Sequence, residues 1–325
     1  MTTDGGANDV AGDDDVAESR GVAESRGVAE SRGVAESRGV AESRGGSPVL
    51  PPTERDPGEP ELRIRADPDA LAHDAARLIA QLLAAAVRHR GRAEIALTGG
   101  SMPPAIYRRL IAPDLRDEVP WKRVGLWWGD DRYVPRGHPL SNVTAADAIL
   151  FADGGIGVAA EQIHPFPTGR AADGEQGAAR CAASYGAEVA RALPLGAGWP
   201  SFDLVLVGIG GDGHLLSVFP GSKALWSDRV ALAIPAPTHI EPHVPRVTLN
   251  PAILGAAGRV VVLAEGAAKA QLVARILEGP RDPSRLPASL ARRANATWLL
   301  DEAAAARLAR GADRSSPEQS RGRLG

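Results

Sequence analysis

Cysteine is nearly missing from this chain of 325 residues: Cys181 stands alone, so no internal disulfide can form and a reducing compartment is indicated. Aromatic residues make up only 4% of the sequence. A core must therefore come mainly from Ala, Val, Leu and Ile, which the 44% hydrophobic share supplies. A basic excess is absent as well. The formal net charge of −3 argues against a general nucleic-acid binder. No uninterrupted apolar run approaches the roughly 18 residues of a membrane span. The opening Met1–Asp15 is acidic and lacks the apolar stretch of a secretory signal. These absences predict a soluble, cytoplasmic protein with no membrane contact and no obligatory protein partner.

Ends and middle differ in composition. From Val16 to Gly45 the hexapeptide Val-Ala-Glu-Ser-Arg-Gly recurs five times, and a Pro-rich stretch from Pro48 to Pro60 follows. Solenoid repeats run to roughly 20 residues or more per unit, because each must bury an apolar face. A unit offering only Val and Ala cannot offset its ordering entropy. Residues 1–58 are thus expected to be a disordered tail, 59–311 an α/β domain and 312–325 a second, polar tail.

Within the domain, strands alternate with helices. Leu62–Arg65 alternates as a strand, and Asp67-Pro68 then gives an N-cap and a first-turn proline. Leu71, Ala75, Leu78, Ile79, Leu82 and Leu83 follow at helical spacing as far as Gly91. Further strands are expected at Glu94–Thr98, Val124–Trp128, Phe202–Val207, Val230–Ile234, Arg246–Leu249, Arg259–Ala264 and Thr297–Leu300. Helices are expected from Pro103 and Ser141, over Gly174–Leu193, over Ala267–Leu277 and over Glu302–Arg310. Such alternation predicts a mostly parallel sheet covered by helices on both faces, a Rossmann-like α/β fold.

The chemistry-bearing residues cluster where strands end. After Phe202–Val207 comes Gly208-Ile209-Gly210-Gly211-Asp212-Gly213-His214: glycines that let backbone approach a ligand, then an imidazole suited to proton transfer near neutral pH. This formally matches the dinucleotide fingerprint G-x-G-x-x-G. That motif, however, wants a helix directly afterwards, whereas here proline and glycine follow within eight residues. Gly99-Gly100-Ser101 precedes a helix start and is a candidate anion site, although a plain N-capping turn uses the same residues. It is no nucleophile elbow, since Pro103 occupies the last glycine position. Asp130-Asp131-Arg132 can hold sugar hydroxyls, an anion or each other. Lys269, in a first helical turn, works against the helix dipole unless an anion sits there. His239 and His243 lie four apart among Pro237, Pro242 and Pro245, which deny them a helix, so no metal site is expected.

Taken jointly, these pieces resemble the 6-phosphogluconolactonases, whose fold superfamily also holds glucosamine-6-phosphate deaminases. The resemblance runs in order over Leu62 to Arg310. It is carried by Leu97–Ser101, Trp128–Pro135, Ser141-Asn142, Gly208–Gly221, Pro245–Leu249, Gly266–Ala270 and Pro287–Leu290. One departure stands out: the family usually has Asp-Glu-Arg where this chain has Asp130-Asp131-Arg132, a carboxylate shorter by about one methylene. The resemblance implies metal-free and cofactor-free hydrolysis of 6-phospho-D-glucono-1,5-lactone in the oxidative pentose phosphate pathway. By it, His214 would be the base, Asp212 its orienter or a substrate contact, and Arg132 or the loop amides the oxyanion donors. Gly99, Gly100, Ser101, Asp130, Gly210, Gly211, Arg246 and Lys269 would bind substrate and its phosphate.

Three alternatives stay open at this level. A hexosamine-phosphate deaminase would carry a carboxylate after Asp-Gly-His, where Leu215–Pro220 has none. A non-catalytic sugar-phosphate regulator would have no need of His214. A nicotinamide dehydrogenase would bind its cofactor.

Overall fold

The computed structural model describes residues 58–169 and 173–309. The repeats and nearly all of both predicted tails lie outside the described residues. In chain order the first half holds β1 (Glu61–Arg65), α1 (Pro68–Arg90), β2 (Ala93–Leu97), α2 (Pro103–Leu110), α3 (Pro113–Arg116), β3 (Val124–Trp128), β4 (Asp130–Arg132), α4 (Val143–Ile149), β5 (Ile163–His164) and α5 (Gly174–Ala192). The second half holds β6 (Leu195–Gly196), β7 (Trp199–Pro200), β8 (Leu204–Gly208), β9 (Ala231–Ile234), β10 (Arg246–Leu249), α6 (Ile253–Ala256), β11 (Arg259–Ala264), α7 (Ala270–Glu278), β12 (Ala296–Asp301) and α8 (Glu302–Ala305).

Seven strands make one wholly parallel sheet in the order β1-β12-β11-β8-β2-β3-β5. From β2 the chain grows outward through β3 and β5. It then returns to the other side of β2 with β8 and continues through β11 and β12. The order therefore reverses between β2 and β8, and ligands of open α/β sheets bind beyond the carboxyl ends of strands at such a switch.

Local chemistry sets these elements. The Asp67 carboxylate accepts from Ala70 N at 2.8 Å, Pro68 opens α1, and Gly91 ends it in the left-handed region at φ 77°. Leu71, Ala75, Ile79 and Leu83 of α1 are fully buried, a stripe whose leucines and isoleucine contribute about 1.5–3 kcal/mol each. Among the described residues α1 is the helix long and apolar enough to cross a membrane, yet half of that window is buried against the domain's own core. The scarce aromatics gather in that core instead of leaving it to aliphatics alone. Trp127, Trp128, Trp298, Tyr107, Tyr185 and Phe202 are all under 2% exposed, because each removes the most apolar surface from water per residue.

Four expectations need correction. Asp130–Arg132 is a strand rather than a loop, and β9 and β10 do not join the parallel sheet. These three form a separate antiparallel sheet in the order β4-β10-β9. The single residue Gly129 between β3 and β4 turns the chain from one sheet to the other. A Cβ there would meet Leu216 Cδ2 at 2.8 Å. The helix expected over Glu302–Arg310 stops at Ala305. The one expected over Ala267–Leu277 begins as a 3-10 turn, Ala267–Lys269, and becomes α-helical at Ala270.

Candidate functional site

Four loops meet at the switch point, beyond the ends of β2, β3, β8 and β11. They enclose a cavity of about 160 Å³. Its walls include Gly99, Gly100, Ser101, Asp130, Arg132, Gly210, His214 and Lys269 from the predicted set. Gly211, Asp212 and Arg246 are not on that wall.

The β8 loop carries His214. Gly210 N donates to His214 O at 3.0 Å and Gly213 N to Gly210 O at 3.0 Å, which folds the loop back on itself. Asp212 Oδ1 accepts from His214 N at 3.0 Å and from His214 Nδ1 at 2.6 Å. The ring is thereby fixed with Nε2 as its uncommitted nitrogen. Burial raises the Asp212 carboxyl, but hydrogen bonds from His214 and His239 outweigh it and hold the group well below the usual carboxylate range. Asp212 is thus an anion behind the imidazole, the arrangement that stabilises an imidazolium. The loop also leaves no room for a side chain at Gly210, where a Cβ would fall 2.0 Å from His214 Nδ1. We expect Gly210→Ala to displace the imidazole from Asp212 and lower kcat by about 10–100-fold with little change in melting temperature. Steady-state kinetics beside thermal unfolding checks both halves.

The β2 loop supplies Gly99–Ser101. Gly100 sits at φ 110°, which glycine alone adopts without strain. Asn142 closes over this loop: a Cβ at Gly99 would collide with its amide. The same amide Nδ2 donates to Asp130 O at 2.9 Å, and Asn142 N donates to Asp131 Oδ1 at 2.7 Å. Asp131 also accepts from Ser141 Oγ at 2.8 Å and Arg132 N at 2.8 Å, is 1% exposed and points away from the cavity. Burial pushes its carboxyl up to about 6, against the pull of those hydrogen bonds. Asp131 is therefore the brace between β4 and α4. Asp130 does face the cavity, its Oδ2 accepting from Ser217 Oγ at 2.6 Å.

Arg132 reaches the wall with Nη1 donating to Leu140 O at 2.7 Å. Arg246 stands opposite it in register on β10, buried, with Nη2 donating to Pro242 O at 3.0 Å and Nε without a partner. Lys269, half-buried at the start of α7, has its pKa lowered by burial, which Glu265 and Asp301 oppose. Leu216, on the same wall, holds a left-handed φ of 55°, strain of the kind found at ligand sites.

Two residues were missed by sequence reasoning. Glu265 lies on the wall and accepts from Ser101 Oγ, so a carboxylate occupies the hydroxyl assigned to the anion site. Its position four residues before Lys269 at a strand end was the available signal. His239 was considered only as a metal ligand with His243. The structure separates the two: His239 Nε2 contacts Asp212 Oδ2 at 2.8 Å, and His243 Nδ1 donates to Pro237 O at 2.7 Å. Among the described residues no group of three or more His, Cys, Asp or Glu is placed to hold a metal ion.

Chemically, the cavity wall combines a carboxylate-oriented imidazole, a glycine loop, a serine, a lysine and a guanidinium. Such a set can activate water next to an anionic ligand. Residues 66–299 match the family described as glucosamine-6-phosphate isomerases/6-phosphogluconolactonase. A 6-phosphogluconolactonase of Streptomyces coelicolor is 34% identical over 258 residues, covering 77% of this chain and 95% of that protein. One of Synechocystis is 36% identical over 222 residues, covering 67% and 86%. The solved structure of 6-phosphogluconolactonase from Trypanosoma brucei superposes with a TM-score of 0.69 at 32% identity, covering 78% of this chain and all of that one.

Proposed function

The chain belongs to the glucosamine-6-phosphate isomerase and 6-phosphogluconolactonase family, and from that premise we propose that it hydrolyses 6-phospho-D-glucono-1,5-lactone to 6-phosphogluconate, a step of the oxidative pentose phosphate pathway. The observation that carries this reading is the 2.6 Å contact between Asp212 and His214 Nδ1, with the imidazole on the cavity wall. His214 Nε2 takes a proton from water as its oxygen attacks the lactone carbonyl. The tetrahedral intermediate collapses with cleavage of the bond to the ring oxygen, and the imidazolium returns its proton to that oxygen. A carboxylic acid and a free hydroxyl result, and the acid loses its proton to solvent to give the carboxylate. No covalent nucleophile, metal or cofactor takes part, because a lactone carbonyl is already electrophilic.

Arg132 is the donor for the oxyanion. The amides of Gly210 and Gly213 are spent inside their own loop, and of the two cationic side chains on the wall, Arg132 and Lys269, the lysine is assigned to the phosphate. A preorganised donor of this kind is worth about 3–4 kcal/mol. Gly99, Gly100, Ser101 and Lys269 take the phosphate and Asp130 a sugar hydroxyl, while Arg246, off the cavity wall, adds positive charge from β10 in register with Arg132. The partner is a small sugar-phosphate lactone. Nucleic acid, membrane and an obligatory protein partner have no part in this reading, and a cytoplasmic location belongs to it.

Glu265 makes a distinctive prediction. Its carboxylate sits where a phosphate dianion must arrive, so it has to give up Ser101 on binding. Glu265→Gln is expected to lower KM for the phosphorylated lactone about 3–10-fold and to leave kcat near wild type. Inorganic phosphate should compete more strongly against the variant. The reading itself is tested by offering both substrates of the family to one preparation with EDTA present. The phosphorylated lactone should be hydrolysed above the spontaneous rate, and glucosamine 6-phosphate should release no ammonia. Ammonia release without lactone hydrolysis would replace this reading with the deaminase one.

A further inference from the structure

The Asp212 carboxylate is gripped from two sides. Oδ1 lies on His214 Nδ1 at 2.6 Å and Oδ2 on His239 Nε2 at 2.8 Å. The two imidazoles also share a neighbour: Phe219 lies 4.8 Å from the His214 ring and 5.5 Å, edge to face, from the His239 ring. Phe219 belongs to a small apolar cluster with Leu232 and Ile234, and Ile240 packs against it, which seats the adjacent His239 over the loop. The segment is also braced within itself, by His243 Nδ1 on Pro237 O and Arg246 Nη2 on Pro242 O.

We propose that His239 is a positioning residue for the catalytic imidazole: it pins the second oxygen of Asp212 so that the first stays aligned on His214 Nδ1. The inference rests on the lactonase reading above. The torsion about the Asp Cβ–Cγ bond is broad, so a carboxylate held at one oxygen rotates readily. A second donor on the other oxygen fixes its plane, and with it the tautomer and tilt of His214. His239 is 51% exposed against 22% for His214 and 20% for Asp212, so it caps the carboxylate from solvent.

Two substitutions separate geometry from packing. His239→Gln places an amide N–H where Nε2 stood, and His239→Phe keeps the ring on Phe219 without a donor. With 6-phosphogluconolactone as substrate, His239→Phe is expected to lose about 5–20-fold in kcat at unchanged KM, while His239→Gln stays within about twofold at neutral pH. Wild-type kcat in His239→Phe would overturn the proposal, as would equal losses in the two variants. An inactive wild type would strike the lactonase reading and leave His239 to a second measurement, ring-nitrogen NMR of His214. There a single Nδ1-protonated tautomer in wild type giving way to a mixture in His239→Phe is expected, and identical spectra would overturn the proposal.

Discussion

Replacing His214 with alanine is expected to lower kcat for 6-phosphogluconolactone about 10²–10⁴-fold, the span that a positioned general base supplies. KM should stay within a few-fold, because the phosphate contacts proposed above belong to other loops, those of Gly99–Ser101 and Lys269. The variant should fold normally. His214 ends a loop held by its own backbone bonds, Gly210 N to His214 O and Gly213 N to Gly210 O, which alanine retains. Initial rates at saturating substrate, corrected for spontaneous opening of the lactone, provide the check. Some rate above background should survive, since Arg132 and the bound phosphate still orient the substrate. A variant with wild-type kcat would leave the activity in place and remove His214 as its base.

The second large effect concerns the phosphate. Lys269→Met is expected to raise KM for the phosphorylated lactone by about 10–100-fold, the value of a charge-assisted hydrogen bond of roughly 1.5–3 kcal/mol. Rates on unphosphorylated gluconolactone should not change. The side chain is half-buried at the start of α7, with Glu265 and Asp301 opposing the cost of its burial. A phosphate dianion beside it replaces those partial compensations with a full one, so the lysine contributes most when substrate is bound. Methionine keeps the apolar stem and removes only the charge. Competition by inorganic phosphate supplies an independent reading, because its inhibition constant should rise in step with KM. Equal losses on both lactones would place the phosphate elsewhere in the cavity.

Much of this architecture is legible in the sequence because its causes are local. The strand limits Val124–Trp128, Arg246–Leu249 and Arg259–Ala264 follow from apolar, β-branched runs cut by glycine and charge. Helix α1 is bounded by a capping aspartate, a proline and a terminal glycine, each acting within a few residues of itself. Sheet membership is a different matter. Nothing inside Arg246–Leu249 says that it pairs antiparallel with Asp130–Arg132, since that depends on a partner more than a hundred residues away. The glycine fingerprint after β8, by contrast, is decided locally: the proline and glycine that follow exclude a helix, and turns are what follow Gly208.

The site divides along similar lines. His214 and Asp212 are two residues apart, so their contact is nearly intrinsic to the loop. Gly99–Ser101 and Lys269 announce themselves by where they stand relative to strand ends. Glu265 also stands at a strand end, but its part and that of His239 each come from one contact across the fold, to Ser101 and to Asp212. Asp131 has the reverse history. Its place in an acidic pair suggests ligand contact, yet its oxygens are occupied by Ser141, Asn142 and Arg132, which suits the shorter carboxylate found here.

The most direct measurement is the rate of loss of freshly generated 6-phosphogluconolactone with purified protein and EDTA, against buffer alone and against unphosphorylated gluconolactone. The account predicts hydrolysis well above the spontaneous rate for the phosphorylated lactone, undiminished by the chelator, and little or none for the other. Loss of the phosphorylated lactone no faster than in buffer would contradict it.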